Sequence, residues 1–363
     1  MIKKLDLYIL KRFISRILFL IITISSIILL TNFVEMIDNF IDAQMSNGEI
    51  FNYYLLTIPM IVSYAIPMAM TIGSMLLMLS YKKNNELLAI RSLGINYFRF
   101  SMIMILFSII ISITHFYFEN SIVSNSNYLK NKVIKKYNLK KNRSNNTKLT
   151  NFIEDIGKNK SIMIMSYNNK KQIANNITIK ESDSLNNIIN RFDSEKMIWN
   201  KEIKKWKFKK LIYRSWENNN LKFQKTINDT TLTLKNITPV YLITELISPE
   251  EMNYFELKEF IKIKKNNSIN TNKWEVGLYH KVSYVFSNII LTISAIILSL
   301  ALKNKNTSYG IGLSLLIITL YYLIVIIGKN LGIEGILSPL SSAWLANIIF
   351  MFIIVFFYKK YVF

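Results

Sequence analysis

Long uncharged apolar stretches alternate with polar segments along this chain, and this pattern determines its class. The six stretches span residues 17–34, 55–80, 100–118, 282–302, 307–328 and 336–358, and none contains Lys, Arg, Asp or Glu. A helix of about 20 apolar residues crosses the hydrocarbon core of a bilayer with its backbone hydrogen bonds satisfied internally. The pattern therefore predicts a multi-pass membrane protein, with three spans before a polar middle region and three after it. No small-residue cleavage pattern follows the first stretch, so we expect a retained span rather than a signal peptide.

The charges of the short connections predict the orientation of the chain. The first loop carries only acidic charges, whereas basic residues flank the spans at the two termini and in the second and fourth loops. These basic residues are Lys3, Lys4, Lys11, Arg12, Arg16, Lys82, Lys83, Arg91, Arg99, Lys303, Lys305, Lys359 and Lys360. By the positive-inside rule, we expect both termini in the cytoplasm and the middle region on the other side of the membrane.

The middle region has the pattern of a β domain. Short β-prone runs at 161–167, 172–179, 187–192, 206–214, 221–226 and 230–234 are separated by polar, Asn-rich turns. Regular short strands without helices between them predict an antiparallel sandwich or jelly roll. Residues 128–148 are rich in Lys and Asn and predict a basic connector in front of the strands.

A helix-start signature follows the β-prone runs. Ser248 can cap a helix, Pro249 suits the first helical position and Glu251 completes a capping box. The predicted organisation is an N-terminal transmembrane half at 1–127, a β-jelly-roll-like domain with its connector at 128–247, and a linker helix with the C-terminal transmembrane half at 248–363.

Composition mainly excludes functions. The 363 residues include no cysteine, which excludes disulfides, thiolate metal sites and a cysteine nucleophile. The two histidines, His115 and His280, lie at membrane boundaries, and we interpret them as satisfied interfacial side chains rather than metal ligands. No phosphate-binding Gly-Lys-Ser/Thr sequence is present, so we do not expect this chain to bind ATP. The net charge of +22 reflects a Lys-rich composition, and we do not expect a nucleic-acid partner.

The second loop, residues 84–95, carries the most specific local pattern. Asn84 or Asn85 can cap a short helix, Glu86 would lie at its positive end, and Gly94 can end it in a left-handed conformation. A short helix with an acidic start and an apolar flank is suited to inserting into a groove on a partner protein. A plain interfacial hairpin is the alternative interpretation.

Several motifs together resemble the LptF/LptG (YjgP/YjgQ) family of lipopolysaccharide-export permeases. They are ELLAIRSLGI at 86–95, LDLYILK at 5–11, YHK at 279–281, NLGIEGILSPL at 330–340 and AWLAN at 343–347. The resemblance covers nearly the whole chain, and its order of elements agrees with the topology predicted from hydropathy. The sequence FVEMID at 33–38 favours LptG over LptF.

The resemblance implies a transmembrane permease subunit of an ATP-driven exporter. Such a complex extracts lipopolysaccharide from the bacterial inner membrane and passes it to a periplasmic β-jelly-roll bridge. The implied partners are an LptB-type ATPase dimer, which would use ATP and Mg, a paralogous LptF-type permease and an LptC-type single-span jelly-roll protein. The chain itself would then be a transporter subunit without its own cofactor or enzyme activity.

Two groups of residues are the expected sites. Contact with the ATPase is expected from the second loop, at Glu86, Leu87, Ala89, Ile90, Arg91 and Gly94. Prolines in the second span, Pro59 and Pro67, suggest a bent helix that lines a cavity. Candidate contacts for acyl chains and phosphates of the substrate are Met60, Met68, Lys281 and Lys329.

Two other classes of protein remain as alternatives. One is a membrane-anchored mechanotransmission or scaffold protein that couples a cytoplasmic ATPase to a periplasmic partner. The other is a membrane enzyme acting on lipids, which would need a polar catalytic cluster at one membrane face; the sequence indicates none. Charged residues are absent from the six apolar stretches, which argues against an ion-coupled transporter.

Overall fold

The structure, a computed structural model, describes residues 4–137, 139, 148–157, 159–168, 171–183, 187–200, 202–203, 205–217, 220–232, 234, 237–239, 242, 248–266, 270–302 and 306–361. Lys3, Lys303, Lys305 and the second half of the predicted connector lie outside these ranges. The chain divides into two compact units. One, the helical unit, contains Met1–Asn131, Pro249–Asn266 and Asn270–Phe363, and the other, the β unit, is built mainly from Lys132–Ser248.

The described helices are α1 (Lys4–Asp42), α2 (Asn47–Lys83), α3 (Glu86–Ser92), α4 (Tyr97–Phe118), α5 (Ser124–Tyr137), α6 (Tyr254–Asn266), α7 (Asn272–Ala301), α8 (Thr307–Ile333) and α9 (Pro339–Tyr361). A π-helical turn, Glu119–Val123, joins α4 to α5. Six segments are long and apolar enough to cross a membrane, namely α1, α2, α4 with its continuation to Ile134, α7, α8 and α9. This result confirms the six predicted spans.

Helix α7 lies at the centre of the helical unit, where it packs against α2, α4, α8 and α9. In its most apolar stretch of 18 residues 67% are buried, compared with 6% for α1, whose main contacts within the described part of the chain are with α2 and α4. Two apolar clusters form the core, one built around Phe13, Met70 and Phe100 and one around Met75, Leu291 and Tyr321. Much of the apolar stretch of α1 is therefore available to lipid or to another protein.

Helices α8 and α9 approach each other closely because of two glycines four residues apart. A Cβ atom at Gly332 would lie 2.1 Å from Ser342 Oγ and 2.7 Å from Val276 Cγ2, and one at Gly328 would lie 2.6 Å from the Ser342 carbonyl oxygen. Small residues at this spacing let helix backbones come together in a bilayer. The pair fixes the α8–α9 hairpin against α7.

The helix predicted to start at Pro249 begins later. Residues Pro249–Glu251 form a single 3-10 turn, and α6 starts at Tyr254. Asn253 Oδ1 accepts hydrogen bonds from the Glu256 and Phe255 amides, while Glu256 Oε2 accepts one from the Asn253 amide. This reciprocal capping box, rather than the Ser248–Glu251 pair, sets the start of the helix.

The strands of the β unit are β1 (Lys148–Gly157), β2 (Lys160–Asn168), β3 (Ile173–Ser182), β4 (Ile188–Asn200), β5 (Lys205–Glu217), β6 (Asn220–Ile227) and β7 (Thr230–Leu232). They form one antiparallel sheet in the order β1 to β6, and β7 also pairs with β5. The antiparallel all-β character is confirmed. Strand β1 was not predicted, because its residues adjoin the Lys- and Asn-rich connector and resemble it in composition.

One irregular row crosses the sheet from β1 to β5. In each pair of neighbouring strands from β1 to β5 one residue pair of the regular ladder is missing, and the residues concerned are 151, 165, 176, 195 and 210. Two of them, Asn176 and Lys210, have φ of 50° and 53°, in the left-handed region. Buried residues on either side of the row are three positions apart instead of two, as Phe208 and Leu211 are. The sheet therefore bends along this row, which we call the crease. Residues from both flanks share one core, so the layers of the predicted sandwich correspond to two flanks of one bent sheet.

Candidate functional site

The short helix α3 presents an apolar, exposed surface at the end of α2. It starts after Asn85, whose φ of 57° reverses the chain, and Gly94, with φ of 79°, releases the chain into α4. The predicted side-chain cap by Asn85 is not formed, and Asn84 Nδ2 instead donates to Glu86 Oε1 at 3.3 Å. Leu87 is buried and anchors the helix. Leu88 and Leu93, 57% and 77% exposed, are available for a partner.

The predicted coupling residues divide into anchoring and exposed positions. Leu87 is buried against α2, Ile90 is half-buried in the same core cluster, and Ala89, Arg91 and Gly94 are exposed. The Arg91 guanidinium lies 5.3 Å from the centre of the Tyr97 ring at the start of α4. The loop therefore contains a packed helix with one outward face.

Glu86 is joined to α1. Its carboxylate accepts from Arg12 Nη1 at 3.4 Å and from Tyr8 Oη at 3.4 Å. The Arg12 guanidinium also lies 4.4 Å from the Tyr8 ring centre and 5.8 Å from that of Tyr81 on α2. These distances are long for hydrogen bonds, and both partners are partly exposed, so the contact can exchange with an outside partner.

Two further contacts tie this end of the unit together. Asp6 on α1 is almost fully buried and accepts two hydrogen bonds from Arg99 on α4, at 3.0 and 2.8 Å. Lys82, at the end of α2, donates to the carbonyl oxygens of Ser299, Leu300 and Leu302 at the end of α7. An ammonium at a helix C-terminus satisfies free carbonyls and the negative end of the dipole. Lys82 thus connects the base of α3 to the central helix.

A buried polar cluster occupies the other end of α2, α4 and α7. His115 contacts Ser63 Oγ at 2.9 Å through Nε2 and Asn288 Nδ2 at 3.1 Å through Nδ1. Ser63 Oγ donates to Glu119 Oε2 at 2.6 Å. Because the Ser63 proton is used on Glu119, Ser63 accepts from His115, so the histidine carries its proton on Nε2. His115 is 1% exposed and hydrogen-bonded at both nitrogens, in agreement with its interpretation as a satisfied histidine.

Some of the residues predicted to contact the substrate lie near this polar cluster. Lys281 is buried, donates to Ser124 Oγ at 3.3 Å, and is within electrostatic range of Lys329, Glu119 and Glu250. Met60 Sδ accepts from Lys130 Nζ at 3.3 Å. Met68 is half-buried on α2. The structure therefore brings Lys281 and Lys329 into one neighbourhood, and it places a cation, Lys130, against Met60.

Two apolar cavities lie between helices of this unit. One, of about 780 Å³, is lined by α4, α7 and α9 and includes Met102, Ile297 and Val355. The other, of about 330 Å³, is lined by α1, α2 and α4 and has His115 on its wall. Neither is lined by Met60 or Met68. Both are open to the surface and have the apolar character that acyl chains require.

Sequence reasoning missed the residues that hold the two ends together, including Arg12, Lys82 and Asn288. Ser63 and Asn288 are polar residues within apolar stretches, and such residues face the bundle interior and find partners there. That signal was available from the sequence. The sequence contains no sign of the Lys82 contact with α7, because the acceptors of Lys82 are carbonyl groups more than 200 positions away.

The fold and these sites define a six-span membrane protein with an antiparallel β domain inserted between its third and fourth spans. The family model described as "Lipopolysaccharide export system permease LptF/LptG" matches residues 7–360, so the chain belongs to this family. It is therefore a permease of lipopolysaccharide export and a multi-pass protein of the inner membrane. The match does not distinguish LptF from LptG. No curated protein matches the sequence.

Proposed function

We propose that this chain is the transmembrane subunit through which a partner ATPase drives lipopolysaccharide out of the inner membrane. In this proposal α3 faces the cytoplasm and docks on an LptB-type ATPase dimer, and an LptF-type permease forms the other half of the transmembrane part. LptG is the assignment we favour for the present chain. The β unit lies in the periplasm and passes the lipid to an LptC-type partner.

The observation that supports this proposal best is the set of contacts around α3. Its exposed face, with Leu88, Ala89 and Leu93, is suited to a groove on a partner, while Glu86 contacts α1 through Arg12. Lys82 extends the connection to α7. A partner that displaces α3 would therefore act on α1, α2 and α7 together. Nucleotide can drive export only if its two ATPase states favour different packings of these helices.

The lipid path in this proposal combines apolar faces with cations. The outward surface of α1 and the cavities beside α4 would receive acyl chains. Lys281 and Lys329 would attract phosphate groups at the end of the spans away from α3. Strand β6, with Leu221 and Phe223 about half exposed, pairs with β5 alone among the described strands, so its other edge would pair with a similar β domain.

The experiment compares Glu86→Ala with Glu35→Ala in the complete complex. Glu35 is an exposed carboxylate on α1 and serves as the matched control. In this proposal Glu86 exchanges its long contact with Arg12 for a bond to the ATPase. We expect Glu86→Ala to lower transport per ATP hydrolysed, or recovery of the ATPase, by about tenfold, the factor for losing one charge-assisted hydrogen bond to the partner. The control should behave as wild type. Wild-type recovery and transport in Glu86→Ala would remove Glu86 from this role.

The scaffold alternative makes a different prediction for the lipid. Photo-crosslinking probes along α1, α2 and α8 in the purified complex should capture lipopolysaccharide if the chain lines the path. A scaffold would still recover an ATPase, but its probes would capture only bulk phospholipid.

A further inference from the structure

Three cations stand in one row across the outer face of the β unit. Lys180 on β3 is directly opposite Arg191 on β4, and Arg191 is directly opposite Arg214 on β5. Side chains in such positions have Cβ atoms about 5 Å apart, and like charges placed directly opposite destabilise a sheet. The row therefore has an unfavourable arrangement that an anion would relieve.

One carboxylate holds the two guanidiniums in place. Asp193, one row away on the same face, accepts from Arg191 Nε at 3.0 Å, from Arg214 Nη1 at 2.7 Å and from Thr178 Oγ1 at 2.8 Å. Arg214 Nε also donates to Gln224. The two guanidiniums share this one carboxylate and Lys180 adds a third positive charge, so the row keeps an excess of positive charge. Each guanidinium also keeps further N–H groups for another acceptor.

Neighbouring Glu181 does not neutralise the row. It lies on the opposite face of β3, where it pairs with Lys160 and accepts from Asn190. Partial burial opposes ionisation of Glu181, but these contacts prevail and keep its pKa below the ordinary value. Its charge is therefore used on the other side of the sheet.

The Lys-rich composition does not account for this row. The chain has only seven arginines among its 45 basic residues. Four of them, Arg12, Arg16, Arg91 and Arg99, belong to the α3 end of the helical unit. Of the others, two stand opposite each other on this face. Arginine is the side chain whose planar fork matches the oxygens of a phosphate group.

We propose that Lys180, Arg191 and Arg214 form a binding site for a phosphate group carried by a lipid headgroup. The site lies on the outer face of the sheet, away from the apolar core of the β unit. The same chain contains six membrane spans, so lipid phosphates are present at high effective concentration around it. The inference stands apart from the ATPase-coupling role proposed for α3.

The test uses the full chain in phosphatidylcholine nanodiscs. Because the chain lacks cysteine, Ile189→Cys provides one labelling position, exposed on β4 near Arg191, for an environment-sensitive fluorophore. The probes are inorganic phosphate, nanodiscs containing phosphatidylglycerol, and nanodiscs containing a phosphorylated glucosamine lipid or its dephosphorylated form. We expect a saturable change with lipid-borne phosphate and none with the dephosphorylated lipid.

Charge-matched variants make the test specific. Arg191→Gln with Arg214→Gln should weaken binding by about tenfold or more, the factor for losing charge-assisted hydrogen bonds. Lys171→Gln with Lys225→Gln removes the same charge from exposed positions outside the row and should leave binding unchanged. Single Arg214→Gln removes one like-charge contact together with the partly exposed Arg214–Asp193 ion pair, two changes of opposite sign, while Arg191 still pairs with Asp193. This variant should therefore melt close to wild type yet bind more weakly.

The outcomes separate the sources of phosphate. A response to both lipids supports a general headgroup site, and a response to the glucosamine lipid alone supports a site for the export substrate. Equal binding by the arginine and lysine variants, or a response to inorganic phosphate with none to either lipid, would overturn the proposal.

Discussion

The two ends of the helical unit hold the same helices by different means. At the α3 end, α3 itself is joined to α1 by Glu86 and Arg12, which pair at partly exposed positions and at 3.4 Å, while the shorter pair of Asp6 with Arg99 joins α1 to α4. About 27 Å away along α4, by the rise of a helix, His115 joins Ser63 and Asn288 through neutral, buried hydrogen bonds. Exposed ion pairs contribute little stability and can exchange partners, whereas a buried polar group left without its partner is costly. The comparison indicates an adjustable contact between α3 and α1 at one end, suited to a moving partner, and a fixed cluster at the other end.

Steric packing at the fixed end gives the largest expected effect. Gly332→Val would place side-chain atoms where Ser342 and Val276 already lie, so it should lower the free energy of unfolding by about 3 kcal/mol. Thermal unfolding of the purified protein in detergent measures this change. Gly312→Val on the same helix meets nothing within 4 Å and is the control. Equal melting of the two variants would show that the α8–α9 contact does not stabilise this end.

Hydrogen bonding at the fixed end gives the next effect. His115→Ala leaves Ser63 and Asn288 without their shared partner, and it should cost about 1–3 kcal/mol of unfolding free energy. The neighbouring Thr114→Ala is the control, because the Thr114 hydroxyl is exposed and bonds only to carbonyls of its own helix. A wild-type melting temperature for His115→Ala would mean that both ends are adjustable, and the comparison would fail.

The sequence was sufficient for the elements that depend on composition and insufficient for those that depend on contacts. Six spans follow from apolar length, and six of the seven described strands from short β-prone runs between Asn-rich turns. Gly94 was identified because a left-handed residue must end α3. The crease could not be predicted, since Asn176 and Lys210 come to lie in one row only through the register of strands far apart in the chain. The cations of the outer face likewise become a row only through the register of β3, β4 and β5.

The connection from α3 to the centre of the unit gives the smallest effect on stability and the most specific effect on function. Lys82→Met removes the ammonium group that donates hydrogen bonds to the carbonyl oxygens of α7, while methionine keeps most of the aliphatic length of the lysine side chain. We expect a loss of about 1 kcal/mol in unfolding free energy, together with a fall in transport per ATP hydrolysed in the complete complex. Lys83→Met is the control, because Lys83 is exposed and adjacent. If Lys82→Met melts lower but transports with wild-type efficiency, Lys82 only stabilises the fold, and the path from α3 to the spans runs through the Glu86–Arg12 contact instead.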